Sequence, residues 1–259
     1  MIYIRSLIFN ICCYSLILTG SVVSSLLGFF VPQKAIYLMW NDFFLVLLRK
    51  LLKWICGLDI EIRGAEHIQK GAAIYTCKHQ SAIETYLLTS YIKNATYIFK
   101  KELTHIPFFG WAVHFYGSVP VDRSGGSRAM KNMLSEAKKL LNRDRAIIIF
   151  PEGTRTQPGK TTEYKPGAAF LYQNTDVPLI PIATNTGLFW EKNSFLRHPG
   201  KIIFEFLPPM PRGLDKREFM TELQKRIEAK CAELNKETTT NYPETKKILD
   251  KYAAKGKTL

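Results

Sequence analysis

His79 and Glu84 place a titratable imidazole beside a carboxylate, and far downstream Phe150-Pro151-Glu152-Gly153-Thr154-Arg155 gathers a carboxylate, a glycine, a hydroxyl and a guanidinium. An imidazole takes a proton near neutral pH when a neighbour fixes its tautomer, and Glu84 is the nearest group able to do so. In the downstream run Gly153 permits a turn closed to other residues, Thr154 offers a hydroxyl, and Arg155 offers two parallel hydrogen bonds to an anion. Glu152 is read either as part of that grip or as the partner of a nearby basic residue. The expected chemistry is general-base catalysis next to an anion site. A serine hydrolase is disfavoured, because Gly-x-Ser-x-Gly is absent and Ser81 has no evident base. Cys77, close to His79, reads as packing at a strand end rather than as a nucleophile.

These groups need a scaffold that brings them together. Ala73-Ile74-Tyr75-Thr76-Cys77 predicts a buried strand, which places His79 at a strand-to-helix turn. Residues five apart on one helix point ~140° away from each other. His79 must therefore stay in the turn while the helix begins at Ser81, where Ser81-Ala82-Ile83-Glu84 matches a capping box. Capping is thus a second role open to Glu84. Further strands are predicted at Tyr97-Ile98-Phe99, at Ala146 to Phe150, ended by Pro151, at Pro178 to Ala183, and at Ile202 to Phe206. Between them Met130, Met133, Leu134, Ala137, Leu140 and Leu141 form one apolar helical stripe, and Phe219, Leu223, Ile227 and Leu234 mark a terminal amphipathic helix. The loop Asp122-Arg123-Ser124-Gly125-Gly126 opens the first of these helices, with Arg123 either a fork for phosphate or the partner of Asp122. The aromatic cluster Ile106 to Trp111 reads as a core helix burying Phe109 and Trp111. Strands alternating with helices predict an α/β domain with a mainly parallel sheet flanked by helices.

The chain has 259 residues and a formal charge of +14, enough for one catalytic domain plus a membrane element, and basic enough to favour an anionic partner. No nucleic-acid motif is present, so nucleic acid is not expected as that partner. Five cysteines without a Cys-x-x-Cys pair fit a reducing compartment, and no zinc-like spacing points to a metal. From Ser6 through Gln33 there is no charged side chain, a length that as a helix exceeds a ~30 Å hydrocarbon core. The apolar run continues past any cleavage site, which disfavours a signal peptide. Pro32 breaks it, and Ala35 to Leu58 reads as an interfacial helix with Trp40 and Trp54 as headgroup-level anchors. If the first segment spans, Lys34, Arg49, Lys50 and Lys53 outweigh Arg5 and place the rest of the chain in the cytoplasm. The expected organisation is membrane-associated helices over 1–57, an α/β domain over 58–235, and a solvated basic tail over 236–259.

With these motifs in order, the chain resembles the glycerophospholipid acyltransferase family that includes the bacterial 1-acylglycerol-3-phosphate acyltransferases. The resemblance runs from about Ala72 to Pro208 and rests on four blocks: His79 with Glu84, Gly117 to Arg123, Phe150 to Arg155, and Val177 to Ile182. One departure is Glu84, where the family pattern usually has Asp. The resemblance implies that His79 and Glu84 are catalytic, and that Arg123, Glu152, Gly153, Thr154 and Arg155 bind the phosphorylated acceptor. It implies transfer of a fatty acyl group from acyl-CoA or acyl-acyl carrier protein to the sn-2 hydroxyl of 1-acyl-sn-glycerol 3-phosphate, with no bound cofactor and no acyl-enzyme; the alternatives are the same chemistry on another lysolipid or on glycerol 3-phosphate, and a basic membrane-binding protein without catalysis. It also makes Ile106 to Trp111 an alternative wall for an acyl chain. Expected partners are a lysophospholipid, the thioester donor with its acyl carrier protein, and membrane phospholipids. The expected location is a bacterial inner membrane, with the catalytic domain on the cytoplasmic side and the first helices spanning or dipping into one leaflet.

Overall fold

The computed structural model describes residues 1–122 and 125–255, the last three by their backbone. Seven strands among these form one sheet in the order β1-β7-β6-β2-β5-β3-β4. They are β1 Leu58–Arg63, β2 Ile74–Cys77, β3 Ala95–Lys100, β4 Val119–Val121, β5 Ala146–Ile149, β6 Leu179–Thr184 and β7 Gly200–Phe206. All pairings are parallel except β6 with β7, so β1 and β7 run against the other five. The sheet is mixed, with a parallel centre as the sequence suggested.

The central strands are apolar throughout because both faces are covered. On β5, Ala146 and Ile148 point into one core while Ile147 and Ile149 point into the other. The second core is closed by α6 (Gly126–Leu141), α7 (Gly167–Gln173) and α8 (Lys216–Asn241). Met133, Ala137 and Leu141 of α6 are buried there, with Met130, Leu134 and Leu140 packed around them, which is the predicted stripe.

The first core is closed by α4 (Ile83–Tyr91) and by the amino-terminal helices. These are α1 (Ile2–Leu27), α2 (Gln33–Leu38) and α3 (Leu45–Leu51), with π-helical turns over Met39–Phe44 and Leu52–Cys56 making one rod from Gln33 to Cys56. Pro32 sits at its start and Gly57, at φ 67°, ends it in the left-handed region. Phe9, Cys13, Leu45, Leu48, Leu52 and Cys56 share one cluster with Tyr75, Cys77, Ile148 and Ile180 of the sheet. Residue 57 therefore marks a turn of the chain within a continuous core. The opposite face of α1 leaves Ile4, Leu7, Ile8, Ile11 and Leu18 exposed.

Two expectations change. The cluster near residue 108 forms α5 (Phe109–Tyr116), but Trp111 is 56% exposed and only Phe109 turns inward, because α5 packs on α1 rather than beneath the sheet. The solvated tail expected from Lys236 is instead helical. The helix α8 continues to Asn241, a short turn over Pro243–Thr245 follows, and α9 (Lys246–Lys255) buries Ile248 and Tyr252 against the first core. Glu191 holds α9 in place, its Oε2 accepting from Lys251 Nζ at 2.8 Å and from the Tyr252 hydroxyl at 2.6 Å. Apolar residues spaced four apart among the lysines carry this packing, and bulk composition hides them.

Candidate active site

The strand β2 ends at Cys77, and the turn after it presents His79 at the carboxyl edge of the parallel strands. The helix α4 begins at Ile83, two residues later than the sequence suggested, with Ala82 at its cap. The Ser81 hydroxyl reaches only the Ile83 N–H, at 3.4 Å. Glu84 satisfies the turn instead. Its Oε1 accepts from the Gln80 N–H at 3.1 Å and the Ser81 N–H at 2.9 Å, while Oε2 lies 3.0 Å from the Ser81 N–H and 3.1 Å from His79 Nδ1. The reciprocal half of the capping box and the imidazole contact are thus made by one carboxylate, and the expected coexistence of the two roles is physical.

Glu84 is fully buried, and the Thr186 hydroxyl donates to its Oε1. An ionised carboxylate accepts only, so the 3.1 Å contact makes His79 Nδ1 the donor and leaves Nε2 as the free base. The ring stacks on Phe150, with centroids 3.9 Å apart. The backbone of His79 is gripped on both sides: the Thr156 N–H donates to its carbonyl at 2.7 Å, and Glu152 Oε1 accepts from its N–H at 3.3 Å.

Glu152 is wholly buried rather than open to a ligand, and it pairs with a basic residue, the alternative read from the sequence. That residue is Lys78, 1% exposed, whose Nζ lies 3.3 Å from Glu152 Oε1 and 2.6 Å from Glu228 Oε1, and donates to the Lys160 carbonyl at 3.0 Å. Burial lifts the Glu152 carboxyl above its usual range against the pull of Lys78. Burial alone would lower Lys78, but Glu152 and Glu228 together raise it, so it stays a cation.

The rest of the loop is open. Gly153 takes a left-handed φ of 70° and Thr154 is exposed. Arg155 is half-buried, its carbonyl accepts from Lys192 Nζ at 2.8 Å, and its guanidinium makes no ion pair among the described residues. Arg123 lies outside the described residues. Cys77 is inert: burial pushes its thiol well up and the thiol points to the Lys78 carbonyl at 3.1 Å.

Beside the dyad lies an almost wholly apolar cavity of about 110 Å³, walled by Ile17 and Ser21 of α1, Trp40 and Leu45, Thr85 and Tyr86 of α4, Tyr97, Phe109 and Tyr116. Thr85 and Tyr86 directly follow Glu84, and the Tyr97 hydroxyl donates to the Glu84 carbonyl at 3.0 Å. Burial raises the Tyr86 phenol, while the charges of Arg155 and Arg197 pull it the other way.

Lys78, Thr186 and the Phe150 ring were not read from sequence as parts of the site. A lysine next to the histidine at the end of a buried strand was an available signal for Lys78. Thr186 carries no local signal, since the contact spans 102 residues.

A histidine oriented by a buried carboxylate, with an apolar cavity walled by the residues that follow, is an arrangement able to support proton transfer in an enzyme. Residues 59–185 match the acyltransferase family model. The chain is 31% identical over 238 residues to the 1-acyl-sn-glycerol-3-phosphate acyltransferase of Pseudomonas aeruginosa, covering 89% of this chain and 90% of that one. It is 29% identical to the corresponding enzyme of Cocos nucifera over 77% of this chain and 65% of the relative. In fold it resembles the crystal structure of the 1-acyl-sn-glycerophosphate acyltransferase PlsC of Thermotoga maritima, with a TM-score of 0.71, 22% identity, and coverage of 90% of this chain and 99% of that chain. The chain belongs to the acyltransferase family.

Proposed function

We propose that the protein transfers a fatty acyl group from an acyl thioester, acyl-CoA or acyl-acyl carrier protein, to the sn-2 hydroxyl of 1-acyl-sn-glycerol 3-phosphate, forming phosphatidic acid. The observation that carries this reading is the 3.1 Å His79 Nδ1–Glu84 Oε2 contact, with an apolar cavity walled by Thr85 and Tyr86, the two residues that follow Glu84. His79 Nε2 takes the hydroxyl proton as the oxygen attacks the thioester carbonyl. The new C–O bond forms as the C–S bond breaks, and the thiolate leaves with the proton from His79. Glu84 holds the ring and stabilises the imidazolium. The cavity takes an acyl chain, which accounts for its walls being drawn from α1, α4 and α5 together.

Arg155, with Gly153 and Thr154, binds the acceptor phosphate, a role that the resemblance also gives to Arg123. Glu152 acts one step back, holding the His79 turn. The amino-terminal helices dock the enzyme on the membrane. Among the described residues a single helix, α1, is long and apolar enough to cross one, with a mean hydropathy of 1.8. Its two ends are tied to the body, Ser6 Oγ accepting from the Arg197 N–H and Ser25 Oγ donating to the Phe108 carbonyl, each at 2.9 Å. A helix so fastened lies along one leaflet with Ile4, Leu7, Ile8, Ile11 and Leu18 toward the acyl chains. The leaflet is the cytoplasmic one of a bacterial inner membrane, where the thioester donors are made.

The test is purified protein assayed with a panel of lysolipids and glycerol 3-phosphate, against both thioester donors. Turnover of 1-acyl-glycerol 3-phosphate well above every other acceptor is expected. Preference for an acceptor without phosphate would overturn the reading.

A further inference from the structure

At the opposite end of the parallel strands from His79 lies a second cavity, of about 400 Å³, lined by Gln33, Lys34, Tyr37, Leu38, Asn94, Arg143 and Arg145. Asn94 immediately precedes β3 and Arg145 immediately precedes β5, whereas His79 and Glu152 follow the ends of β2 and β5. Because these strands are parallel, the two sites lie at opposite ends of them.

Among the described residues its basic groups make no ion pair. Arg145 is 7% exposed, yet its guanidinium meets no carboxylate among the described residues: it donates to Gln33 Oε1 at 3.3 Å, the Gly117 carbonyl at 3.4 Å and the Tyr116 carbonyl at 3.3 Å, and it lies 6.0 Å from the centroid of the Tyr37 ring. Its Nε has no hydrogen-bond partner among the described residues. Lys34 and Arg143 are exposed and make no ion pair among the described residues. Asp144, between the two arginines, is engaged elsewhere, its Oδ1 accepting from the Ala72 N–H at 2.9 Å. A half-desolvated cation without a counter-charge is a costly arrangement that an external anion relieves.

The source of that anion follows from what adjoins the cavity. The turn between α1 and α2 carries Phe29 and Phe30, which are 71% and 85% exposed, beside Leu26 and Leu27. Lys34 follows Phe30 by four residues, no more than ~14 Å of chain. Insertion of these rings below the headgroups brings Lys34 and the cavity mouth to the level of lipid phosphates. We propose that Lys34, Arg143 and Arg145, with Gln33 and Asn94, form a binding site for the phosphate of an anionic membrane phospholipid, separate from the acceptor site. This inference rests on the membrane docking proposed above. It makes the turn between α1 and α2 a two-part anchor, apolar at its tip and cationic at its collar.

The test is flotation of the full chain with vesicles of phosphatidylcholine alone, or of equal parts phosphatidylcholine and phosphatidylglycerol. Lys34→Glu with Arg143→Glu changes two exposed side chains, and Lys216→Glu with Arg217→Glu makes the same charge change at the start of α8. At about 1 kcal/mol per basic residue near an anionic surface, the first pair is expected to weaken binding to the anionic vesicles by roughly tenfold or more. The second pair should have little effect, and detergent-phase activity should stay at the wild-type level in both. Equal losses from both pairs would reduce the effect to the overall charge of +14 and overturn the site. Undiminished binding by the first pair would overturn it while leaving membrane docking intact, and absence of any wild-type binding would remove both. Inorganic phosphate bound by the wild type without vesicles and lost in the first pair, while that pair floats with the anionic vesicles as the wild type does, would show a site for free phosphate and overturn the lipid assignment.

Discussion

The two ends of the parallel strands differ in how their charges are settled. At the carboxyl end Lys78 is enclosed by Glu152 and Glu228, and Glu84 has donors from His79, Gln80, Ser81 and Thr186. At the amino end Lys34, Arg143 and Arg145 face no carboxylate partner among the described residues. A site that moves a proton gains from groups fixed before substrate arrives, since nothing then has to reorganise in the reaction. A site that holds a surface leaves its charge for the surface to complete. Arg155, at the carboxyl end but without an ion pair among the described residues, belongs with the second kind, in keeping with the ligand role proposed for it.

Changes led by Glu84, Lys78, Arg155 and Thr186 sharpen or break this contrast. Glu84→Gln should have the largest effect, lowering kcat by about a hundredfold or more. The amide keeps the size but loses the charge that stabilises the imidazolium. Glu84→Asp should retain part of the activity, since the shorter arm cannot hold His79 and Thr186 at once. Kinetics at saturating donor would show this, and a wild-type kcat for Glu84→Gln would contradict the dyad.

Lys78→Met comes next, because it leaves Glu152 buried and unpaired at a cost of about 3–5 kcal/mol. Glu152, already raised by burial, rises further without its lysine. A carboxyl whose folded pKa exceeds its unfolded value stabilises the fold at low pH, and that contribution is lost as pH rises through the folded pKa. The variant should therefore lose more Tm, relative to wild type, at pH 8 than at pH 5.5, and adding Glu152→Gln should recover much of it. A loss independent of pH would mean that Lys78 serves packing alone.

Arg155→Ala is expected to raise the acceptor KM by about tenfold, with lysine restoring only part. Unchanged acceptor kinetics would exclude Arg155 from the phosphate site. Thr186→Val should have the smallest effect, a loss of a few-fold at neutral pH. Without that hydroxyl Glu84 loses one of its donors and holds the His79 ring less firmly, so kcat should fall while the acceptor KM stays unchanged. Thr186→Ser should restore kcat, and a wild-type kcat in Thr186→Val would separate Thr186 from the dyad.

Much of this was legible in the sequence, for reasons that differ by residue. The strand before His79 and the β-branched run before Pro151 are buried on both faces and read as such, which placed both motifs at one sheet edge. The α6 stripe was equally plain. Local pattern failed where packing partners are distant. Trp111 looked like core because nothing in its own segment shows that α5 packs on α1. The segment from Lys236 looked solvated because lysines and threonines outnumber the apolar contacts of Ile248 and Tyr252. Within the site, His79 and Glu84 were found through spacing, whereas Thr186 reaches Glu84 only through the fold. The break at residue 57 followed a change in composition, but Phe9, Leu48 and Cys56 belong to the same core as β2.

The central claim is that His79 is the base for direct acyl transfer. The most direct measurement follows phosphatidic acid formation from 1-acyl-glycerol 3-phosphate and an acyl thioester by folded His79→Ala protein, with its Tm and vesicle binding matched to wild type. The account predicts that turnover falls to background while folding and membrane binding persist. Near-normal turnover by that protein would contradict it.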